Sequence, residues 1–301
     1  MALLPGDEQD RLVSADGETA HQIGDVSTSA AGDSRFGRSR AGTPLSTAPS
    51  DALRDVYERR ARLEYSEIAV PDAALDRKFA VVSEQLRRCL PCSSFLDAGC
   101  GDGRYLAALP DFGPIPPKIV GTDIADGMLE TTARAAARAG IEPELVRANL
   151  EQLPLDDGVF DVVLCAQVIE HLLDPDAAIG ELARVLTPGG ALVLTTDNSR
   201  ALVTKVLNAP RWTLSRLVGK HRARVAIRFP HTSFSKHDLL RLVESKGLTV
   251  VGLRTFRFTV VGAPDWLRRH FNRVDAHLPD LGIGDVLLIV ARRPDDTASR
   301  L

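Results

Sequence analysis

Three glycines separated by single residues follow an acidic residue in the segment FLDAGCGDG, residues 95–103. The apolar residues before Asp97 are typical of a short buried strand, and the glycines would form the turn into a helix. Glycine lets a backbone turn sharply and approach a ligand closely, because it has no Cβ. Asp97 can accept from an amine or orient the loop amides. The pattern predicts a ligand-binding loop; a tight strand-to-helix turn without a ligand is the alternative.

A second acidic residue, Asp123, ends the next apolar segment, twenty residues after Gly103. A carboxylate at the end of a neighbouring strand can accept from both hydroxyls of a ribose, which favours a ligand that contains a nucleoside. A helix-capping or solvated aspartate is the alternative. The dinucleotide fingerprint G-x-G-x-x-G would need glycine where the chain has Arg104, and no Gly-Lys-Ser/Thr follows for a P-loop.

Strand-like and helix-like segments alternate around these residues. We predict strands at 94–97, 118–122, 144–147, 160–166, 191–196, 248–253 and 285–291, and helices at about 71–90, 126–139, 175–186 and 235–245. We expect Asp126 to cap the second of these helices and Ser235 to open the last in a capping box. Repeated strand-then-helix units favour a mostly parallel sheet with helices on both faces. Ligands of such sheets bind at the carboxyl ends of the strands.

The segment from about Phe95 to Ala191 resembles the class I S-adenosylmethionine-dependent methyltransferase superfamily. Besides the glycine loop, the resemblance is carried by NLEQLPL at 149–155, FDVVLCAQVIEH at 160–171 and RVLTPGG at 184–190. It implies a Rossmann-like α/β fold, with a seven-stranded, mostly parallel sheet flanked by helices. The implied strand order is 3-2-1-4-5-7-6, with the last strand antiparallel.

The same resemblance implies S-adenosyl-L-methionine as the cofactor and assigns its contacts. Asp97, Gly99 and Gly101 would line the methionine end, Asp123 would hold the ribose, Ile124 and Leu150 would lie against the adenine ring, Asn149 would face the adenine amine, and Gln167 would lie beside the methionine moiety. Asn149 stands where aspartate is commoner, and its amide oxygen can still accept from the amine. We expect methyl transfer to a small-molecule acceptor, as by an O-methyltransferase. The alternatives are an RNA- or protein-directed methyltransferase and a non-catalytic binding module.

Two histidines are candidate catalytic bases, because a hydroxyl acceptor must lose a proton and histidine titrates near neutrality. His171 follows the fourth strand, where a structural hydrogen bond is the alternative role. His231 precedes the last predicted helix, where it would act as a base, contact the substrate or order its loop. We expect no metal, because no cluster of suitable ligands is apparent and the pair Cys89–Cys92 stands alone.

We expect a disordered tail at 1–50, a methyltransferase domain at 51–294 and a short tail at 295–301. Within the domain, residues 51–92 would form a helical cap and 197–237 a basic lid insert. Between Asp197 and Asp238 the chain has no acidic residue, and its cations are Arg200, Lys205, Arg211, Arg216, Lys220, Arg222, Arg224, Arg228 and Lys236. The insert could cover an anionic or lipid-like acceptor, bind RNA or form a solvated surface.

The overall composition limits the partners and the cellular compartment that we expect. The formal net charge of -3 and the scarcity of aromatic residues in the insert do not favour nucleic acid as the main partner. Four cysteines are too few for a disulfide scaffold in 301 residues, which predicts a reducing compartment such as the cytoplasm. We expect no transmembrane segment, because the longest apolar runs have the length of strands. We also expect no secretory signal, because the first residues, MALLPGDEQD, contain no basic residue.

Overall fold

A seven-stranded sheet forms the centre of the structure. The computed structural model describes residues 49–64, 70–201, 231–256, 264–277 and 279–295. The strands are β1 Ser94–Ala98, β2 Lys118–Asp123, β3 Glu144–Arg147, β4 Phe160–Ala166, β5 Leu186–Asp197, β6 Thr249–Phe256 and β7 Val286–Arg292. Their order is β3-β2-β1-β4-β5-β7-β6, and β7 runs antiparallel to both of its neighbours. The predicted fold and strand order are confirmed.

Helices cover this sheet. They are α1 Pro49–Glu64, α2 Arg77–Cys89, α3 Arg104–Ala107, α4 Asp126–Arg138, α5 Pro175–Val185, α6 Lys236–Ser245 and α7 Asp265–His277, with short 3₁₀ helices at Leu109–Asp111 and Ile169–His171. The predicted cap of α6 at Ser235 is confirmed, because the Ser235 hydroxyl oxygen accepts from the Asp238 amide. The Asp238 carboxylate accepts from the Ser235 hydroxyl, whereas a full capping box would have it accept from the backbone amide. Residues 1–48 of the predicted N-terminal tail, 202–230 of the predicted insert and 296–301 of the predicted C-terminal tail lie outside the described residues, while positions 49 and 50 belong to α1.

Two helix starts differ from the sequence expectations. The first predicted helix begins at Arg77 rather than near residue 71, because Asp76 caps it by accepting from the Phe79 amide. Asp126 does not cap α4 but is its first residue. The Glu58 carboxylate of α1 instead accepts from the amide groups of Asp126 and Gly127, at 2.5 and 3.2 Å. A side chain 68 positions earlier therefore satisfies the donors that we expected a local cap to satisfy.

The core lies on both faces of the sheet. Strand β1 is buried along its whole length, as a central strand between two parallel neighbours must be. One apolar cluster joins β4 and β5 to α5 and α6, and another joins α2 and α3 to the opposite face of the sheet. This packing fixes the carboxyl ends of β1, β2 and β4 side by side.

The glycine loop starts where β1 ends, against the end of β2. The amides of Gly99 and Cys100 both donate to the Thr122 carbonyl, at 2.8 Å. In the parallel register, Asp97 lies opposite Gly121, two residues before Asp123. The two acidic residues that the sequence singled out are therefore brought to one edge of the sheet.

Candidate functional site

A cavity of about 280 Å³ opens at this edge of the sheet. Among its lining residues are Asp97, Gly99, Gly101, Asp123, Ile124, Asn149, Leu150, Gln167 and His171. All eight residues predicted for the cofactor therefore line one cavity, with one of the two predicted bases. The position at the carboxyl ends of parallel strands is the usual one for a ligand in this kind of sheet.

Asp97 is buried, and one of its two carboxylate oxygens, Oδ2, has no hydrogen-bond partner in the described part of the chain. Burial, together with the nearby carboxylates of Asp102 and Asp123, raises the pKa of Asp97 to about 8. An unpaired buried acceptor is costly, and a cationic donor placed beside it would remove that cost. Asp97 thus fits the amine of an amino-acid group.

The glycine loop leaves open space for a ligand at Gly101. Its φ of +56° lies in the left-handed region, and a Cβ built on this residue would meet no atom within 4 Å. At Gly103, by contrast, a Cβ would lie 2.8 Å from the Thr132 Cα, so this glycine is required by helix packing. The loop therefore combines a packed glycine with one that faces the cavity.

Asp123 closes the loop from the neighbouring strand. Its Oδ2 accepts from the Gly101 amide and its Oδ1 from the Ala125 amide, each at 3.0 Å. Burial raises the pKa of Asp123, although these hydrogen bonds oppose the shift. Each carboxylate oxygen can accept more than one hydrogen bond, so both remain able to accept from a diol.

The far wall of the cavity has the predicted apolar and amide groups. Leu150 is buried and Ile124 is half-buried, so both can pack against a flat ring. The Asn149 Oδ1, which we predict to accept from the adenine amine, already accepts from the Glu151 amide at 3.0 Å. A carbonyl oxygen has a second lone pair, so the predicted contact stays open to a ligand.

Gln167 follows β4 in an uncommon conformation, with φ of 60°. Its Oε1 accepts from the Lys78 ammonium at 2.6 Å. Its Nε2 is buried and has no partner among the described residues. Gln167 and Asp97, each with a buried polar atom that lacks a partner among the described residues, thus line the same cavity.

The two predicted bases lie next to each other. The His171 and His231 rings meet edge to face, with centroids 5.4 Å apart, and only His171 is among the residues that line the cavity. The His231 Nε2 lies 3.2 Å from Oδ2 of Asp197, at the end of β5. Burial, then the charges of His231 and Arg60, lower the pKa of His171 to about 4, so its ring is neutral at pH 7.

Helix α1 forms a wall of the cavity that the sequence did not assign to the site. Leu53, Tyr57 and Arg60 line the cavity, and the Tyr57 ring packs edge-on against His171 at 6.2 Å. In the sequence, this stretch shows only the roughly helical spacing of apolar residues such as Leu53, Val56 and Tyr57. That spacing indicates a buried helix face but not what the face covers.

Part of the chain matches a known protein family. Residues 96–194, about a third of the chain, match a family described as a methyltransferase domain. Residues 96–194 are therefore similar to the methyltransferase domain that the sequence resemblance implies. The matched segment includes the glycine loop, Asp123 and Gln167, whereas α1 and His231 lie outside it.

Two curated relatives illustrate the similarity of the methyltransferase domain. A probable S-adenosylmethionine-dependent methyltransferase of Mycolicibacterium smegmatis is 34% identical over 122 residues, covering 40% of this chain and 45% of that protein. A ubiquinone biosynthesis O-methyltransferase of Maricaulis maris is 32% identical over 131 residues, covering 42% of this chain and 50% of that protein. The chain thus spans about half the length of these relatives, or less.

A solved structure shares the fold at low sequence identity. The magnesium protoporphyrin IX methyltransferase of Synechocystis PCC 6803, solved with bound S-adenosylhomocysteine, has a TM-score of 0.52 and 17% identity to this chain. The alignment covers 81% of this chain and 99% of the other. The methyltransferase fold therefore extends well beyond the segment that matches the family.

The cavity of the methyltransferase domain fits S-adenosylmethionine by its own chemistry. It offers an unpaired acceptor at Asp97, an unpaired donor at Gln167 and open space above Gly101. Among the described residues, no group of three His, Cys, Asp or Glu side chains is placed to hold a metal ion. None of the helices in these ranges is both long and apolar enough to span a bilayer.

Proposed function

We propose that this chain transfers the methyl group of S-adenosylmethionine to a hydroxyl oxygen of a small-molecule acceptor. The observation that carries the proposal is the cavity at the glycine loop, which is lined both by Asp97, with its unpaired buried carboxylate oxygen, and by Gly101, with open space at its Cβ position. The relative in Maricaulis maris, named as an O-methyltransferase, supports an oxygen acceptor.

In this proposal, the cofactor is held by the residues that the sequence predicts. Asp97 accepts from its ammonium group, Asp123 accepts from the ribose hydroxyls, and Ile124 and Leu150 pack against the adenine. Asn149 accepts from the adenine amine through its remaining lone pair. When bound, S-adenosylmethionine supplies a methyl group already activated by a sulfonium, so the protein needs to supply no covalent nucleophile. What remains for the chain is to orient the acceptor and exclude water.

We assign the general base to His231 rather than to His171. Asp197 is placed to orient the His231 ring, as the acidic partner of a general-base histidine does. His171 lacks an acidic partner of this kind in the described residues, and its lowered pKa makes it a weak base. His171 and Tyr57 would then form the wall against which the acceptor lies.

The assignment predicts that His231→Gln lowers the rate of methyl transfer by about 10²- to 10⁴-fold, the usual contribution of a general base. Cofactor affinity should stay unchanged, because His231 is not among the residues lining the cofactor cavity. His237→Gln, which changes an exposed histidine on α6, is the matched control. Transfer of labelled methyl groups to extract metabolites, followed by mass analysis of the product, measures the effect.

The same experiment decides between acceptor classes. Label in a small molecule that gains 14 mass units on oxygen, as a methyl group replaces a proton, supports the proposal. Label that remains with the RNA or protein fraction would replace it with the macromolecular alternative. Retention of full activity in His231→Gln would remove His231 from the mechanism.

A further inference from the structure

A lysine contacts the residue that lines the cavity directly after β4. Lys78 lies on α2, 89 positions before Gln167 in the chain, and its ammonium donates to the Gln167 Oε1 at 2.6 Å. Gln167 lines the cavity and Lys78 is not among the lining residues. This contact therefore links Lys78 to the cavity through the glutamine amide.

The chemistry of this contact fixes the direction of the amide. An ammonium has three donors and no acceptor, so only the oxygen end of the amide can face it. The nitrogen end, Nε2, must then point the other way, where it is buried and has no partner among the described residues. Turning the amide over would place its NH₂ group against the ammonium and lose the hydrogen bond.

The backbone holds Gln167 in the same place. Its φ of 60° is in the left-handed region, which a residue with a Cβ seldom adopts. Its amide donates to the Thr195 carbonyl of β5 at 2.9 Å, which ties this conformation to the sheet. Such strained residues cluster at ligand sites, where the surrounding structure maintains them.

We propose that Lys78 is a positioning residue, which holds the Gln167 amide so that Nε2 donates to the carboxylate of the methionine end of S-adenosylmethionine. The inference rests on the proposed function. The unpaired acceptor of Asp97 and the unpaired donor of Gln167 would then match the ammonium and the carboxylate of one amino-acid group. Lys78 acts through the amide and need not touch the ligand.

The test uses two ligands that differ in this group. S-adenosylhomocysteine has the amino-acid end, and 5′-methylthioadenosine keeps the nucleoside and sulfur but lacks it. Lys78→Met in the full chain should weaken the binding of S-adenosylhomocysteine by about five- to tenfold, which corresponds to one misplaced hydrogen bond to a charged group. The dissociation constant of 5′-methylthioadenosine should stay within about twofold of its wild-type value. Isothermal titration calorimetry gives both dissociation constants.

Three further variants sharpen the test. Lys246→Met, which breaks a surface ion pair with Asp176, should change neither affinity. Lys78→Arg should restore most of the loss, because arginine also has donors only. Gln167→Glu keeps the Lys78 contact but replaces the donor by an oxygen. It should therefore weaken the binding of S-adenosylhomocysteine by about tenfold or more and leave the binding of 5′-methylthioadenosine unchanged. Gln167→Glu also decides the question if Lys78→Met does not fold.

The outcomes separate this inference from the proposed function. If the wild-type chain binds neither ligand, the proposed function is overturned and the Lys78 role with it. If the wild type binds both ligands but Lys78→Met weakens the binding of neither, or of both equally, only the positioning role of Lys78 is overturned. If Gln167→Glu binds both ligands as the wild type does, the donor role of Gln167 and with it the positioning role are overturned.

Discussion

Asp97 shows how one side chain can report ligand binding through a proton. Its pKa is raised to about 8 from an ordinary value of 3.8, chiefly by burial, so the ligand-free protein holds a proton there at pH 7. A bound ammonium favours the carboxylate form instead. Binding a ligand with an amine should therefore release a proton from this residue.

This predicts that S-adenosylhomocysteine binds more tightly as pH rises from 6 to about 8, with release of about one proton per site. Calorimetry in buffers of different ionisation enthalpy measures the release. 5′-Methylthioadenosine, which has no amine, should release none, and Asp97→Asn should abolish the release seen with S-adenosylhomocysteine. Equal proton release with both ligands would contradict the role of Asp97.

The same residue affects stability in the opposite direction. Between about pH 4 and pH 8 the unfolded chain has lost the Asp97 proton and the folded chain retains it. The free energy of unfolding should therefore fall as pH rises through this window. Asp97→Asn should remove that part of the slope, which urea unfolding at several pH values measures.

At the scale of elements, helix α1 lines the cavity without belonging to the strands and loops that hold the predicted cofactor residues. It is held to α4 by Glu58, which accepts from the first two α4 amides, and by close approach at Gly127, where a Cβ would lie 2.9 Å from the Ala61 Cβ. From this position α1 supplies Leu53, Tyr57 and Arg60 to the cavity. The contact therefore couples a helix cap to the shape of the site.

We predict that Glu58→Ala lowers the free energy of unfolding by about 1 kcal/mol, as loss of a helix cap does. It should also weaken the binding of S-adenosylhomocysteine by about three- to tenfold, because α1 is then held less firmly over the cavity. Asp55→Ala on the same helix, whose carboxylate pairs with Arg54 on the surface, should change neither quantity appreciably. Wild-type affinity in Glu58→Ala would show that α1 position does not matter for the ligand.

The elements that local sequence determines were predicted well. Strands β3 and β4 have their predicted bounds, and Ser235 caps α6 as its spacing with Asp238 indicated. Contacts between distant positions were not predictable in this way. Asp126 was wrongly expected to cap α4 because the capping carboxylate belongs to Glu58. Helix α7 was missed although Leu267, Phe271 and Val274 recur at helical spacing.

On the scale of the whole molecule, the fold explains why the residues predicted for the cofactor lie together. Asp97 and Asp123 end adjacent parallel strands, so any such sheet brings them to one edge. The strand order came from the resemblance to a known superfamily. The Lys78–Gln167 contact and the Asp197–His231 pair join residues from separate elements, and only the packed structure reveals them.

The central claim is that the cavity between Asp97 and Asp123 binds the adenosyl cofactor. Calorimetric titration of the full chain with S-adenosylhomocysteine tests it most directly. We predict saturable one-site binding that Asp123→Ala weakens at least about tenfold, because hydrogen bonds to a charged group are lost, and that Asp126→Ala leaves unchanged. Absence of binding in the wild type, or an unchanged dissociation constant in Asp123→Ala, would contradict it.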